Sequence, residues 1–156
     1  MTDHPPQRPP GARDPEHWLF RLTGEEWHRD ADRERALCLE QLERRSVRAG
    51  VTHARRAAGM AWNAVLSLHE DPRYGRSYME HIHALADDPA LPEAVRTAAQ
   101  HLRSAPTGPP ALIQLGKPDL SVHAAAGIIL AEARARAQAL TTATNGAADP
   151  PPVKTG

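Results

Sequence analysis

Apolar residues recur at intervals of three or four positions along most of the chain, and this spacing predicts amphipathic helices. The clearest segment covers residues 47–69, and comparable spacing predicts helices over residues 24–45 and over about 121–140. The apolar stripe of the 47–69 segment consists of Val51, Ala54, Ala58, Ala61, Val65 and Leu68. No segment shows the alternation of apolar and polar residues that indicates a half-buried strand. We therefore predict an all-α protein.

A third helical segment begins near Gly75 and is interrupted by the sequence DDPALPEAV. Proline lacks an amide hydrogen and disturbs the preceding helical turn, so we expect this helix to be broken near Pro89 and Pro92. Packing of the amphipathic helices around one core then gives an antiparallel, up-down four-helix bundle over residues 14–140, with its third helix broken.

Two segments outside this pattern are poor in bulky apolar residues. Residues 1–13 contain four prolines, and residues 141–156 offer almost no large side chain for a core. A segment that buries little apolar surface cannot offset the entropy that it loses on ordering. We predict disordered tails over residues 1–13 and 141–156, on either side of one helical domain at residues 14–140.

Two local signals refine the predicted helices. In LTGEEW, Thr23 and Glu26 have the spacing of a capping box, which marks the start of the first helix. The second helix carries Gly59 near its middle, although glycine costs about 1 kcal/mol of helix propensity relative to alanine. This glycine indicates a place where a neighbouring helix approaches closely.

Composition and charge narrow the classes of function. The 156 residues include 19 basic and 19 acidic side chains, so no global field directs the chain to nucleic acid or to an anionic membrane. The single cysteine, Cys38, excludes an internal disulfide and any zinc site with several cysteines. The sequence has no signal peptide and no apolar run long enough to span a bilayer. We expect a cytoplasmic protein that does not associate with membranes.

Glu80 and His83 have the Glu-x-x-His spacing that di-metal four-helix bundles use. Such a site also needs a second motif of this kind on a facing helix and bridging carboxylates from the other two helices. The second predicted helix has no acidic residue between Glu43 and Glu70, and the last helix has only Glu132. We therefore predict no metal site and no cofactor.

The densest group of chemically active side chains lies at residues 73–85, RYGRSYMEHIHAL. Arg76 could hold a phosphate there, while His81 acts as general acid or base on a ribose 2′-hydroxyl. The simpler interpretation is a solvent-exposed helix face on which Arg76 and Glu80 form an i,i+4 ion pair and His81 is in contact with water. We favour this second interpretation and predict no catalytic residue, with Arg76 kept as a candidate ligand-binding residue.

Three further candidates for ligand binding surround the glycine of the second helix. Arg55, Asn63 and Tyr78 could line a small pocket at Gly59. A buried amide at Asn63 would need hydrogen-bond partners, which Tyr78 or a neighbouring helix could supply. Arg55 belongs to a basic stretch at residues 44–56 that could bind phosphate or nucleotide. We expect instead that acidic residues of the first helix neutralise this stretch.

The second helix reads HARRAAGMAWNAVLSL over residues 53–68 and is followed by a short polar turn and a broken third helix. In this pattern the chain resembles the HEPN superfamily (higher eukaryotes and prokaryotes nucleotide-binding domains) over most of residues 24–140. The resemblance implies a bacterial helical bundle that pairs as a homodimer. Active members of the superfamily carry an Arg-x4-6-His motif, and the Arg and His of two protomers meet in a cleft that cuts RNA.

The spacing of that motif occurs five times, at Arg48–His53, Arg76–His81, Arg96–His101, Arg21–His28 and Arg76–His83. None of these arginines is followed by the Asn, Asp or His that is usual in the superfamily, and the start of the last helix has Lys117 and His123 but no arginine. We therefore predict a non-catalytic binding or interaction module that forms a homodimer and could bind a protein partner. The alternatives are a metal-independent RNase using Arg76 and His81, or a bundle that binds a nucleotide or another small ligand.

Overall fold

A computed structural model of the chain describes residues 18–107 and 116–147. These residues form five α-helices and two short 3-10 turns, with no strand among them, so the predicted all-α class is confirmed. The helices are α1 (Gly24–Glu43), α2 (Val47–Leu68), α3 (Tyr78–Asp87), α4 (Glu93–Ser104) and α5 (Ser121–Ala147), and the turns are Trp18–Arg21 and Pro72–Tyr74.

Helix α2 is the element around which the others pack. It contacts α1, α3 and α5, and it also touches α4. Its small side chains make this possible, because Ala57, Ala58 and Ala61 are fully buried and let the neighbouring backbones come close. The approach is closest at Gly59, where an added Cβ atom would overlap the side chain of Tyr78. The predicted close contact at this glycine is confirmed.

The start of α1 has the predicted capping box. The amide of Glu26 donates to the Thr23 hydroxyl over 3.2 Å, and the amide of Thr23 donates to the Glu26 carboxylate over 3.1 Å. These bonds satisfy N–H groups that the first turn of a helix leaves without partners. Trp27 is then buried, and its indole N–H donates to the carbonyl of Leu19 over 3.0 Å, which ties the preceding turn to α1.

Helix α3 begins three residues later than the sequence pattern predicted. The chain first forms the turn Pro72–Tyr74, and Gly75 then has a φ of 66°. This left-handed backbone conformation cannot belong to a right-handed helix, so α3 starts at Tyr78 with Ser77 as its cap. The polar sequence between α2 and α3 is therefore a folded turn rather than the first turn of a helix.

Residues 88–92 separate α3 from α4, and Pro89 and Pro92, the two prolines expected to interrupt the third helix, both lie there. Pro92 occupies the N-cap position of α4, where its missing amide hydrogen costs no helical bond. Helices α3 and α4 pack against each other, and α4 also packs against α5.

Helix α5 continues past the predicted boundary at residue 140. Residues 141–147, which the sequence predicted to be disordered, form its last turns. That prediction considered only the lack of bulky apolar residues, whereas an alanine-rich sequence extends an existing helix at little cost. Two threonine hydroxyls in this segment also donate to backbone carbonyls one turn earlier, over 2.8 and 2.9 Å. The other predicted tail residues, 1–13 and 148–156, lie outside the described residues.

Every helix contributes large side chains to the core, among them Trp27, Val51, Ile82, Leu85, Leu102 and Ile129. Cys38 is also fully buried, and this burial raises the pKa of its thiol to about 11. A thiol that stays protonated at neutral pH is a packing residue rather than a nucleophile. Within the described part of the chain, none of the helices has a stretch that is both long and apolar enough to cross a membrane.

Candidate functional site

His81 lies inside the protein, which corrects the prediction of a solvated side chain. Its ring is fully buried, with Nδ1 2.6 Å from the carbonyl oxygen of Tyr74 and Nε2 2.7 Å from the side-chain amide of Asn63. The indole of Trp18 stacks on the ring with the centroids 6.0 Å apart. Both ring nitrogens are therefore occupied by protein groups, and no ring edge is free to exchange a proton with a substrate.

The protonation state of His81 follows from its surroundings. Burial lowers the pKa of the ring, so the neutral form prevails at neutral pH. A neutral ring has one donor and one acceptor, and the Tyr74 carbonyl can only accept, so Nδ1 carries the proton. Nε2 then accepts, and the NH2 group of the Asn63 amide is its donor. The arrangement is a satisfied pair between α2 and α3.

Glu80 does not form the predicted side-chain pair with Arg76. Its carboxylate accepts from the backbone amide of Arg76 over 2.9 Å and from that of Ser77 over 2.8 Å, while the Ser77 hydroxyl accepts from the Glu80 amide. These hydrogen bonds lower the pKa of Glu80, the bond from Ser77 most of all. The Glu80 carboxylate thus makes its hydrogen bonds to backbone amides in the capping box of α3 and does not pair with the Arg76 side chain.

The predicted ligand pocket around Gly59 does not exist as open space. The ring of Tyr78 lies directly over this glycine and fills the gap that the missing side chain leaves. Asn63 is 1% exposed, and its amide bonds to His81 rather than to Tyr78. Asn63 is therefore a core residue, and Tyr78, which is half-buried, packs against the core at Gly59.

Arg55, the third candidate of that group, caps the end of α4. Its guanidinium donates to the carbonyls of Leu102, Arg103 and Ala105 over 2.8, 3.2 and 3.1 Å. The last carbonyls of a helix have no partner within the helix, so a cation there is stabilising. The side chain is committed to this packing contact and is not available to an incoming ligand.

The basic stretch at residues 44–56 is partly neutralised by α1, as expected. Glu34 is nearly buried and contacts His53 over 2.5 Å and Arg56 over 3.4 Å. Arg44 pairs with Glu40 within the last turn of α1 over 2.8 Å. These contacts pair two of the five arginines of the stretch with carboxylates and so reduce the positive charge on this face.

A cleft of about 310 Å³ lies between the C-terminal end of α2 and the two 3-10 turns. We call it the turn cleft, and its lining residues are Trp18, Leu19, Leu66, Glu70, Asp71, Pro72, Gly75 and Arg76. Arg76 is exposed there, and its guanidinium has no hydrogen bond or ion pair with any other residue in the described ranges. Among the residues predicted as sites, Arg76 is thus the one that the structure places in an open cavity.

The turn cleft and the buried polar pair are neighbours that share one aromatic ring. Trp18 lines the cleft on one side and stacks on the ring of His81. The ring of His81 is fixed by two hydrogen bonds, so the wall formed by Trp18 has a rigid support. This arrangement can position a bound molecule, and the acidic side chains that line the cleft are Glu70 and Asp71.

Asp71 is already neutralised within its own turn. Arg73 holds both of its carboxylate oxygens, with nitrogen–oxygen distances of 2.7 to 3.2 Å, and this hydrogen bonding lowers the pKa of Asp71. Such a fork-to-carboxylate pair is planar and directional. Of the charged groups lining the turn cleft, Arg76 and Glu70 remain without a protein partner among the described residues.

No group of three His, Cys, Asp or Glu side chains able to hold a metal ion occurs among the described residues. The Glu80-x-x-His83 spacing does not form a ligand pair, because the Glu80 carboxylate is bonded to two backbone amides and His83 is exposed.

Sequence reasoning missed Trp18 and Glu70 as site residues. Trp18 stands in the apolar sequence WLF, which is typical of a core segment, and Glu70 stands in a polar turn with no motif around it. The available signal was the sequence HEDPRYGR at residues 69–76, where four acidic or basic residues and a glycine connect two helices. Functional residues are often found in such loops on a rigid scaffold.

Comparison of the chain with protein-family models, with curated proteins and with solved structures finds no match.

Proposed function

We propose that this chain is a non-catalytic helical binding module and that the turn cleft is its binding site. The observation that carries the proposal is the different placement of Arg76 and His81. Arg76 lines an open cleft with an unpaired guanidinium, whereas His81 is fully enclosed with both ring nitrogens bonded. The arginine can hold an anion, but the histidine that would act with it as acid or base is enclosed in the core.

The nuclease alternative needs a histidine whose ring reaches the substrate. A general acid or base must come within about 3 Å of the proton that it moves. His81 contacts Tyr74, Asn63 and Trp18 instead, and opening this packing would expose the buried ring and leave the Asn63 amide and the Tyr74 carbonyl without their partner. The geometry therefore favours binding over RNA cleavage at Arg76 and His81.

The proposal includes the architecture and the setting expected from the sequence. The alanine-rich α2 packed against α1, α3 and α5 supports an antiparallel, up-down bundle of HEPN-like type, with α3 and α4 as the two parts of its broken third helix. The exposed apolar side chains of Leu120 and Ile128 on the N-terminal side of α5 support a homodimer. The even balance of charge gives the chain no attraction to an anionic membrane, which supports a cytoplasmic location.

Binding and cleavage are separated by two measurements on the full chain. A screen of small fragments followed by two-dimensional amide NMR should give perturbations grouped at residues 66–76, where the turn cleft lies. Incubation with total RNA in the presence of EDTA should give no cleavage. Metal-independent cleavage that is lost in Arg76→Gln and kept in Arg48→Gln, an exposed arginine at the other end of α2, would overturn the proposal.

A further inference from the structure

The turn cleft presents one unpaired positive charge and one unpaired negative charge to solvent. Arg76 and Glu70 are both exposed, and neither side chain bonds to another residue in the described part of the chain. The other carboxylate, Asp71, is neutralised by Arg73 over 2.7 to 3.2 Å. A complementary ligand therefore carries one anionic group for Arg76 and one cationic group for Glu70.

The remaining wall of the cleft is apolar. Trp18, Leu19, Leu66 and Pro72 line it, and Leu19 is buried beneath its surface. Trp18 is held in place by stacking on His81. A ligand that places an apolar group against this wall removes apolar surface from water on both sides, and it meets a wall that does not need to rearrange.

Size and charge exclude larger or more highly charged ligands. A volume of about 310 Å³ is at the low end of the range for ligand pockets, about 300–1,000 Å³. A nucleoside di- or triphosphate would bring several negative charges to a cleft whose free charges, Arg76 and Glu70, sum to zero, so most of its charge would have no partner. A peptide end carries only one of the two terminal charges, and it leaves Arg76 or Glu70 without a partner.

We propose that the turn cleft binds a free α-amino acid with an apolar side chain, an inference that rests on the proposed binding function. The guanidinium of Arg76 holds the carboxylate of the ligand through two parallel hydrogen bonds. Glu70 accepts from its ammonium group, and the apolar side chain of the ligand lies against Trp18 and Leu66. No covalent step is involved.

Three probes of nearly equal size test each part of this recognition on the full, isotopically labelled chain. L-phenylalanine carries both charges, 3-phenylpropanoate only the carboxylate, and 2-phenylethylamine only the ammonium. We expect L-phenylalanine to give saturable NMR shifts at residues 66–76. Each single-charge analogue should bind at least about tenfold more weakly, since it loses a hydrogen bond to a charged group.

Two variants assign the charges to their residues. Arg76→Gln should weaken L-phenylalanine at least about tenfold and leave 2-phenylethylamine unchanged, whereas Glu70→Gln should weaken L-phenylalanine and leave 3-phenylpropanoate unchanged. Both side chains are exposed, so both variants should fold, which a thermal melt checks. Arg48→Gln, with an exposed arginine about 27 Å away along α2, is the matched control and should bind as the wild type does.

The possible outcomes separate this inference from the function on which it rests. Binding of 3-phenylpropanoate as tightly as L-phenylalanine would overturn the amino-acid proposal while keeping an anion site at Arg76. Absence of any shift at residues 66–76 with L-phenylalanine, or preferential binding of ATP there, would overturn it as well. The binding function itself fails only if the fragment screen also leaves residues 66–76 unperturbed.

Discussion

The buried pair of His81 and Asn63 makes the junction of α2 and α3 depend on a few polar atoms. Leucine at position 81 removes the ring and leaves the Asn63 amide and the Tyr74 carbonyl without their partner, each at a cost of about 1–3 kcal/mol. Replacing both side chains with leucine also removes the amide, so the double variant should lose less stability than the sum of the two single variants. Urea denaturation of the four proteins gives this cycle. Strict additivity would show that the two side chains do not interact.

Acid should weaken the fold through the same ring. Burial lowers the pKa of His81 in the folded state, while an unfolded histidine has a pKa of about 6.5. The contribution of His81 to stability is therefore complete above pH 6.5 and is lost as the pH falls toward its lowered folded-state pKa. We expect the free energy of unfolding in urea to be lower at pH 5 than at pH 7.5. His81→Leu should show a smaller difference, and an equal difference in both proteins would contradict the assignment.

Gly59 is the residue where the packing of α2 leaves least room. Alanine there would gain about 1 kcal/mol of helix propensity, but its Cβ would overlap the Tyr78 ring, and overpacking of this kind costs about 1–3 kcal/mol. Gly59→Ala should therefore lower the melting temperature. Gly24→Ala is the matched control, because its Cβ would meet the Ser67 hydroxyl at an ordinary 3.5 Å. A stable Gly59→Ala protein would mean that α3 can shift away from α2.

Among the elements, α4 depends on a side chain supplied by a different helix. The guanidinium of Arg55 on α2 binds three carbonyls at the end of α4, so Arg55→Met should cost about 1–3 kcal/mol. Arg48→Met, two turns earlier on α2 and exposed, should change stability by less than about 0.5 kcal/mol. Urea denaturation compares the two, and the amides of α4 should exchange faster with deuterium in Arg55→Met. Equal losses in both variants would refute this capping role.

The elements also show which structural features a sequence pattern can predict and which it cannot. Apolar spacing predicts α2 and α5, and the Thr23–Glu26 box predicts the start of α1, because these signals are local. Apolar spacing could not predict that His81 is buried. A polar side chain is buried only where hydrogen-bond partners are available, and the partner of His81, Asn63, lies on another helix. For the same reason the basic pattern around Arg55 suggested a ligand, although its partners lie 47 to 50 residues away in the chain.

At the scale of the whole molecule, the site and the core are built from the same parts. Trp18 belongs to the wall of the turn cleft and also stacks on the buried ring of His81. The left-handed Gly75 lets the chain turn before α3, and a Cβ there would overlap the Glu80 side chain. A disturbed cap on α3 would therefore alter the cleft as well as the fold.

Association of two copies is the property expected of the molecule as a whole. A core rich in alanine buries little apolar area per residue, and a formal charge of zero gives no net repulsion between copies. On α5, Ile128 is 43% exposed beside fully buried Ile129, so an apolar surface continues to the outside of the helix.

We expect sedimentation velocity at tens of micromolar to show a dimer that Ile128→Glu converts to a monomer. Leu68→Glu, at a similarly exposed leucine on the end of α2, should remain dimeric. A monomeric wild-type protein at this concentration would contradict the homodimer, because the surface at Ile128 would then remain exposed to solvent in a stable monomer.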